Sequence, residues 1–570
     1  MDRDAGKILA ALQKVQEQMS KINIIIVDFT FLVHMHGKEL LKWLASLASS
    51  KQCKVLVCDE FLCNYELFQK SESPKQREIA VGVNYFINML SQNRALVLDE
   101  RFRTIEHLIY KLQARSDVAL FLANNSEADE VLRSCSCPRM MVVSYMSDGS
   151  LFCSSAINYI NSTQQMLLLE SNDLATVLVP DFPEINSTVH TSDKTEYVLL
   201  KKVSSGAEGT VYITDNPSYV CKIYHQNNLT LEKIKKLNLL EKRQVHYDGI
   251  CWPEARIFSS RGYPVGYLMK RANGQKMSGI FDGEEAIKEV FANFTRMDVV
   301  NVVISVFEKI QYLHLMGVLI GDVRPQNILI DQSGNTYLID LDSCQIEGYP
   351  STVGDEDYTP FENQGKVFSD FLRTYRNERF SCAVLLFYIL FLGQHPYAQR
   401  NGADTIGEEI AAHSFRYPKD KTGDYSLIPL GCYAEIWKFT PSIISDALYG
   451  VFKNDVRLSI CEWLQLIKKY SYFLSTLPQN DIRIHLSCSR GVAFSHNVTP
   501  PPTTSQNPPK IKRASGSLFI VSLLIIMALL LSGYLILYFM LAAKLDTMPP
   551  VTAPFQEISK AFQQFFNYWR

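Results

Sequence analysis

Val318-Leu319-Ile320-Gly321-Asp322-Val323-Arg324-Pro325-Gln326-Asn327-Ile328-Leu329-Ile330, then a glycine turn, then Tyr337-Leu338-Ile339-Asp340-Leu341-Asp342-Ser343, decides how the middle of this chain is read. The apolar-periodic helical run VVNVVISVFEKIQYLHLMG leads into it. Asp322 and Asn327 stand five residues apart, and Asp340 ends a strand thirteen residues after Asn327. Together they form a triad of oxygen-bearing side chains. Mg²⁺ takes hard oxygen ligands, and a hydroxyl nucleophile needs a carboxylate within reach to accept its proton.

Upstream, from about Tyr197, the pattern turns to short β-rich runs, YVLLKKVSS, GTVYITD and YVCKIY, which predict an antiparallel hairpin series. The first turn reads Ser204-Ser205-Gly206-Ala207-Glu208-Gly209-Thr210-Val211. Its two glycines would let backbone N–H groups approach a triphosphate, although Gly-rich hairpins are common. Lys222 lies in the apolar run Val220-Cys221-Lys222-Ile223-Tyr224. An inward lysine is costly unless an anion meets it, so a phosphate and a helix carboxylate are its expected partners; a surface lysine on an alternating strand is the other reading.

In these motifs the sequence resembles the eukaryotic-like protein kinase superfamily over about residues 197–475. The phrases GDxxPxN, IDxDS and GxHPY look like its bacterial Ser/Thr kinase branch. The resemblance implies a two-lobed α+β domain over 190–480 that uses ATP and Mg²⁺ (or Mn²⁺) on protein substrates. It assigns Lys222 to the α/β-phosphates, Asp322 to the catalytic base, Asn327 to one metal ion and Asp340 to the metal-binding Asp of Asp-Phe-Gly. Ser204, Gly206, Gly209 and Val211 fall in the phosphate loop, with Ser204 in place of its first glycine. Met269 to Ala272 falls at the adenine hinge, Met269 at the gatekeeper position. Tyr358-Thr359-Pro360-Phe361-Glu362 looks like Ala-Pro-Glu, and Glu378 replaces the usual Asp of the buried C-lobe helix.

Some positions depart from the family. Ile320-Gly321 stands for His-Arg, so an activation-loop phosphate would lack its usual Arg partner. Arg324 replaces the catalytic-loop lysine. The helix glutamate for Lys222 is Glu241 by family spacing, with Glu232 as alternative, and Asp342 competes with Asp340 for the metal. An ATP-binding pseudokinase acting as a membrane-anchored scaffold is the rival reading to active transfer.

Residues 22–180 read as a separate unit behind an N-terminal helix at 1–21. Strand-like INIIIVD, KVLVC, VALFLA and MMVV alternate with helical stretches, which predicts a parallel three-layer α/β domain. Ligands in such sheets sit at the C-terminal strand ends, where Asp28, Asp59 and Glu60 fall. The run IIIVDFTFLV with a later CDEFLCNYEL faintly resembles a PIN-like nuclease, with Asp28 and Glu66 as the carried-over acids. Ala123-Asn124-Asn125 stands where a third Asp is expected, and Glu127, Asp129 and Glu130 lie on the next helix, so a degenerate interaction domain is preferred to a nuclease. A von Willebrand A-like site on Asp28 and Thr30 is a further option.

Near the end, residues 518–543 read LFIVSLLIIMALLLSGYLILYFMLAA without one charge, long enough to span a bilayer. Lys510, Lys512 and Arg513 precede it, which places the N-terminal side in the cytoplasm. A Pro-rich basic linker (481–517) leads in, and 544–570 forms an exterior amphipathic tail. The expectation is a single-pass membrane protein with both folded units cytoplasmic. A formal net charge of −2 over 570 residues argues against nucleic acid as partner, and nothing fixes an oligomeric state. Thirteen cysteines without a Cys-x-x-Cys pair read as free thiols.

Overall fold

In the computed structural model, which describes residues 15–34, 43–47, 53–71, 73–98, 103–146, 150–162 and 175–488, the first third is an α/β layered unit. Strands β1 (Ile24–Val27), β2 (Lys54–Val57), β3 (Leu96–Leu98), β4 (Val118–Ala123), β5 (Met141–Tyr145) and β6 (Leu151–Ser155) form one sheet in the order β3-β2-β1-β4-β5-β6. The first five are parallel and β6 returns antiparallel to β5. VALFLA of β4 is buried at every position, as expected of a central strand covered on both faces. Helices α1 (Phe29–His34), α2 (Asp59–Gln69), α3 (Pro74–Gln92), α4 (Ile105–Leu112), α5 (Glu127–Ser134) and α6 (Ala156–Ser162) connect or flank the strands. The strand order reverses between β1 and β4.

The predicted hairpin series closes into a barrel of six antiparallel strands: β7 (Thr188–Thr191), β8 (Glu196–Ser205), β9 (Gly209–Thr214), β10 (Tyr219–Tyr224), β11 (Ala255–Phe258) and β12 (Pro264–Lys270). Closure depends on β7, which pairs with both β8 and β11. It straddles the expected start of the second domain at 190, and the segment before it belongs with the barrel as well. Val177 N–H donates to Leu229 O at 2.7 Å, and Asp181 accepts from Ser259, Ser260 and the Arg261 N–H. Helix α7 (Leu231–Arg243) crosses the barrel after β10, capped by the Thr230 hydroxyl.

Below the barrel, α8 (Arg296–Leu315), α9 (Tyr375–Leu390) and α10 (Ile460–Ser475) form a helical lobe. Buried Arg296 ties α8 to Leu390 O at 2.5 Å and to Tyr470 Oη at 3.1 Å. The hairpin of Ile328–Ile330 with Thr336–Leu338 brings Asn327 and Asp340 together at its open end, where the Ile339 N–H donates to Asn327 O at 3.0 Å. Residues 481–488, expected as linker, still pack on this lobe, with Leu486 and Cys488 buried. All thirteen cysteines are free thiols. Among the described residues no helix is long and apolar enough to cross a membrane. The expected span at 518–543 and its tail lie outside them.

Candidate active site

Between barrel and helical lobe lies a cleft of about 610 Å³. It gathers Ser204, Gly206, Gly209, Val211, Lys222, Met269, Ala272, Asp322, Arg324, Asn327 and Asp340, which lie far apart in sequence. Apolar walls come from Val211, Val220, Met269 and Leu329. Arg271 of the expected hinge and Ser343 of IDxDS line the cleft as well, and so does Lys276, to which no motif had pointed.

Lys222 is held inward by its register, opposite Val211 on β9 and Tyr267 on β12. Its Nζ lies 2.8 Å from Asp342 Oδ1 and 2.9 Å from Asp340 Oδ1. Burial pushes the ammonium's pKa down, but the Asp342 and Asp340 carboxylates outweigh it and hold the value above the ordinary one. Asp342 is fully enclosed: its oxygens accept from Lys222, from Tyr224 Oη at 2.7 Å and from Tyr267 Oη at 2.7 Å. Burial alone would raise its pKa, yet Lys222 and the two hydroxyls hold it well below the carboxylate range.

Two expectations are therefore corrected. The partner of Lys222 is neither Glu241 nor Glu232. Glu241 faces the barrel's outer strands, where it pairs with Arg256 Nε at 2.7 Å and accepts from Ser192. The residue that α7 turns inward is Lys236, buried and bonded to Pro350 O at 3.1 Å, its pKa lowered by burial. A second cation on that helix leaves the carboxylate to come from elsewhere, and Asp342 supplies it. The second correction follows from the first: with three donors on two enclosed oxygens, Asp342 has no exposed ligand atom for a metal, whereas the Asp340 side chain is 50% exposed. Asp340 adopts a left-handed conformation (φ 59°), unusual for a residue with a Cβ.

Asp322 is buried, and burial raises its pKa against the opposing pull of Arg324 and Asn327. Asn327 Nδ2 donates to Asp322 Oδ2 at 2.8 Å, and Arg324 Nε lies 3.1 Å from the same oxygen. Asp322 Oδ1 is buried without a hydrogen-bond partner. Such an oxygen costs free energy until a donor arrives, and a substrate hydroxyl is a donor. The loop itself is pinned by Glu378, which accepts from the Ile320 N–H (2.9 Å), the Gly321 N–H (2.7 Å) and His314 Nε2 (2.9 Å).

The family model described as protein kinase domain matches residues 269–442. The chain thus carries a protein kinase domain. It is 27% identical over 249 residues to protein kinase YegI of Escherichia coli K12, covering 41% of this chain and 38% of that protein. It is 23% identical to serine/threonine-protein kinase sax-1 of Caenorhabditis elegans, over 41% of this chain and 52% of that one. The match to Sgk1 of Fundulus heteroclitus is 24% over 39% and 51% respectively. The match thus spans between about a third and about half of each of these three relatives.

In the kinase domain the segment from Asp340 to Glu362 is fastened without a phosphate. Where the family has an arginine before the catalytic Asp stands Gly321 (φ 77°), and a Cβ there would meet Ser351 Oγ at 2.3 Å. Arg373 lies beside it, donating to Ser351 O at 2.7 Å and Val353 O at 2.8 Å. Lys236 holds Pro350 on the other side. Of the hydroxyl residues in the segment, Tyr349, Ser351, Tyr358 and Thr359 are buried, Ser343 is half-buried and Thr352 is exposed. Glu362 closes the segment against Arg457 at 3.0 Å.

The acids of the N-terminal sheet do not converge. Asp28 is buried and accepts from Thr30, and burial raises its pKa to about 6. Glu66 lies on the exposed face of α2. Asp129 is bonded to Arg133 at 3.0 Å, while Glu127 and Glu106 both meet Arg379 of the kinase domain. Glu130 accepts from the Tyr375 N–H at 2.8 Å. Among the described residues no group of three His, Cys, Asp or Glu side chains is placed to hold a metal.

Proposed function

We propose that this chain is an ATP-dependent protein kinase that transfers the γ-phosphoryl group to Ser or Thr hydroxyls of protein substrates. The observation that carries this reading is the convergence of Lys222, Asp322, Asn327 and Asp340 on one cleft, with Asp322 Oδ1 lacking a donor. The serine/threonine preference rests on similarity to relatives such as the serine/threonine-protein kinase sax-1.

In that role Lys222 binds phosphate oxygens, having been kept charged by Asp342. Asp322 Oδ1 accepts the hydrogen bond of the substrate hydroxyl, orients it in line and takes its proton as the bond to phosphorus forms. Arg324, beside Asp322, adds positive charge where the transferred group is most negative. The Asn327 amide oxygen and the Asp340 carboxylate are the hard donors that would hold Mg²⁺ or Mn²⁺; the N–H of Asn327 is spent on Asp322. Bound there, the cation offsets charge on the phosphates.

The uncharged stretch 518–543 would hold the protein in a membrane, with the kinase on the cytoplasmic side of the basic residues 510–513. Protease protection of sealed vesicles checks this: a tail beyond 544 that is cleaved from the cytoplasmic face refutes the orientation.

Transfer is tested by incubating the purified chain with labelled ATP and Mg²⁺. Asp322→Asn is expected to lower labelling by about 10²–10⁴-fold while nucleotide binding stays. If the wild type binds nucleotide yet labels neither itself nor any protein substrate, the scaffold reading replaces this one.

A further inference from the structure

A second cavity, of about 350 Å³, lies where the C-terminal ends of β4 and β5 meet the end of α7. It adjoins the reversal of strand order between β1 and β4, the place where parallel sheets most often bind ligands. Among the described residues its lining carries three cations, Lys75 of α3 and Lys242 and Arg243 of α7, against one carboxylate, Glu347. Glu347 is already paired with Arg243, whose other nitrogen donates to Met316 O at 2.9 Å. Lys75 and Lys242 therefore present charge that no lining carboxylate offsets. Asn124 accepts from Tyr159 Oη at 3.2 Å through its oxygen, so what it offers the cavity is its amide donors. In a neighbouring cavity of about 30 Å³, which shares Lys75 and Gln244 with it, the Gln76 Oε1 is buried without a hydrogen-bond partner.

We propose that this cavity binds a small phosphate ester, its phosphate between Lys75 and Lys242 and a hydroxyl of its organic part on Gln76. The volume suits a ligand of sugar-phosphate to mononucleotide size. The carbonyl end of α7 would by itself repel an anion, so the attraction comes from the basic side chains at its last turn. Recognition is by charge-assisted hydrogen bonds from donors that lie on two separate folded units. The site is distinct from the nucleotide cleft and stands whether or not the chain transfers phosphate.

The test is calorimetric titration of the full chain in detergent with ribose 5-phosphate and, separately, inorganic phosphate. Saturable binding of ribose 5-phosphate is expected, weakened at least about tenfold in Lys75→Gln/Lys242→Gln and left in place by an excess of a non-hydrolysable ATP analogue. Both lysines are exposed, so the double variant keeps its thermal unfolding midpoint. Inorganic phosphate should bind more weakly and Gln76→Leu should narrow the difference. Absence of saturable binding overturns the proposal. So does binding that the ATP analogue competes away and Lys75→Gln/Lys242→Gln leaves intact, which would place the ligand in the nucleotide cleft.

Discussion

Lys222 reached its inward position on the strand, and that much is legible in VCKIY. Its partner is not, because Asp342 lies 120 residues away and meets it only through space. Family spacing pointed to α7, where the residue turned inward is a lysine. Removing one member of a buried ion pair strands the other, at a cost of about 3–5 kcal/mol. Asp342→Asn is therefore expected to destabilise the chain by that order in denaturant unfolding and to weaken ATP binding. Glu241→Gln and Glu232→Gln should leave ATP affinity unchanged; a large loss in either returns the pairing to α7. The Asp342 carboxyl has a folded pKa below its ordinary 3.8. Its contribution to stability is thus complete above about pH 4 and is lost as pH falls further.

Among the elements, the glycine turn shows where sequence and space part. Gly206 and Gly209 read alike in the loop. A Cβ on Gly209 would stand 2.5 Å from Ile223 O, whereas one on Gly206 meets nothing within 4 Å. Gly266, which no motif marked, is tighter still: its Cβ would fall 1.9 Å from the carbonyl oxygen of Lys222 itself. Gly266→Ala must push β12 off β10, and we expect a loss of about 1–3 kcal/mol with a weaker nucleotide site. Gly206→Ala should change stability by no more than about 0.5 kcal/mol. Comparison of denaturant midpoints decides between these values. Asp322, Asn327 and Asp340 were legible because a single loop and hairpin carry them. Strand β7 was not, since four residues of TVHT between two expected domains offer too little period to read.

At the scale of the molecule, acids on the helices beside the sheet serve docking. Arg379 reaches Glu106 and Glu127, and Glu130 takes the Tyr375 N–H, joining positions that no local pattern connects. Burial raises the Glu130 pKa from 4.5 to about 7, so the folded state holds its proton more tightly than the unfolded chain does. Its favourable share is then complete below about pH 4.5 and disappears as pH rises through about 7. Glu130→Gln keeps the acceptor and removes the titration. We expect it to flatten the pH dependence of unfolding free energy across that window by roughly 1–3 kcal/mol. Asp28 and Glu60, raised to about 6 and about 7, leave a residual slope of the same sign. An unchanged profile in Glu130→Gln would place the titrating group elsewhere.

Closure of the barrel by β7 reaches beyond packing. An open sheet offers its outermost strand as a template for another chain, and many assemblies form by adding a strand there. Here β7 and β8 consume each other's main-chain groups, so this lobe has no rim to extend. A regulator cannot recruit it by strand addition. It must come to the loops or to the exposed side of α7, where recognition depends on side chains that mutation can change one at a time.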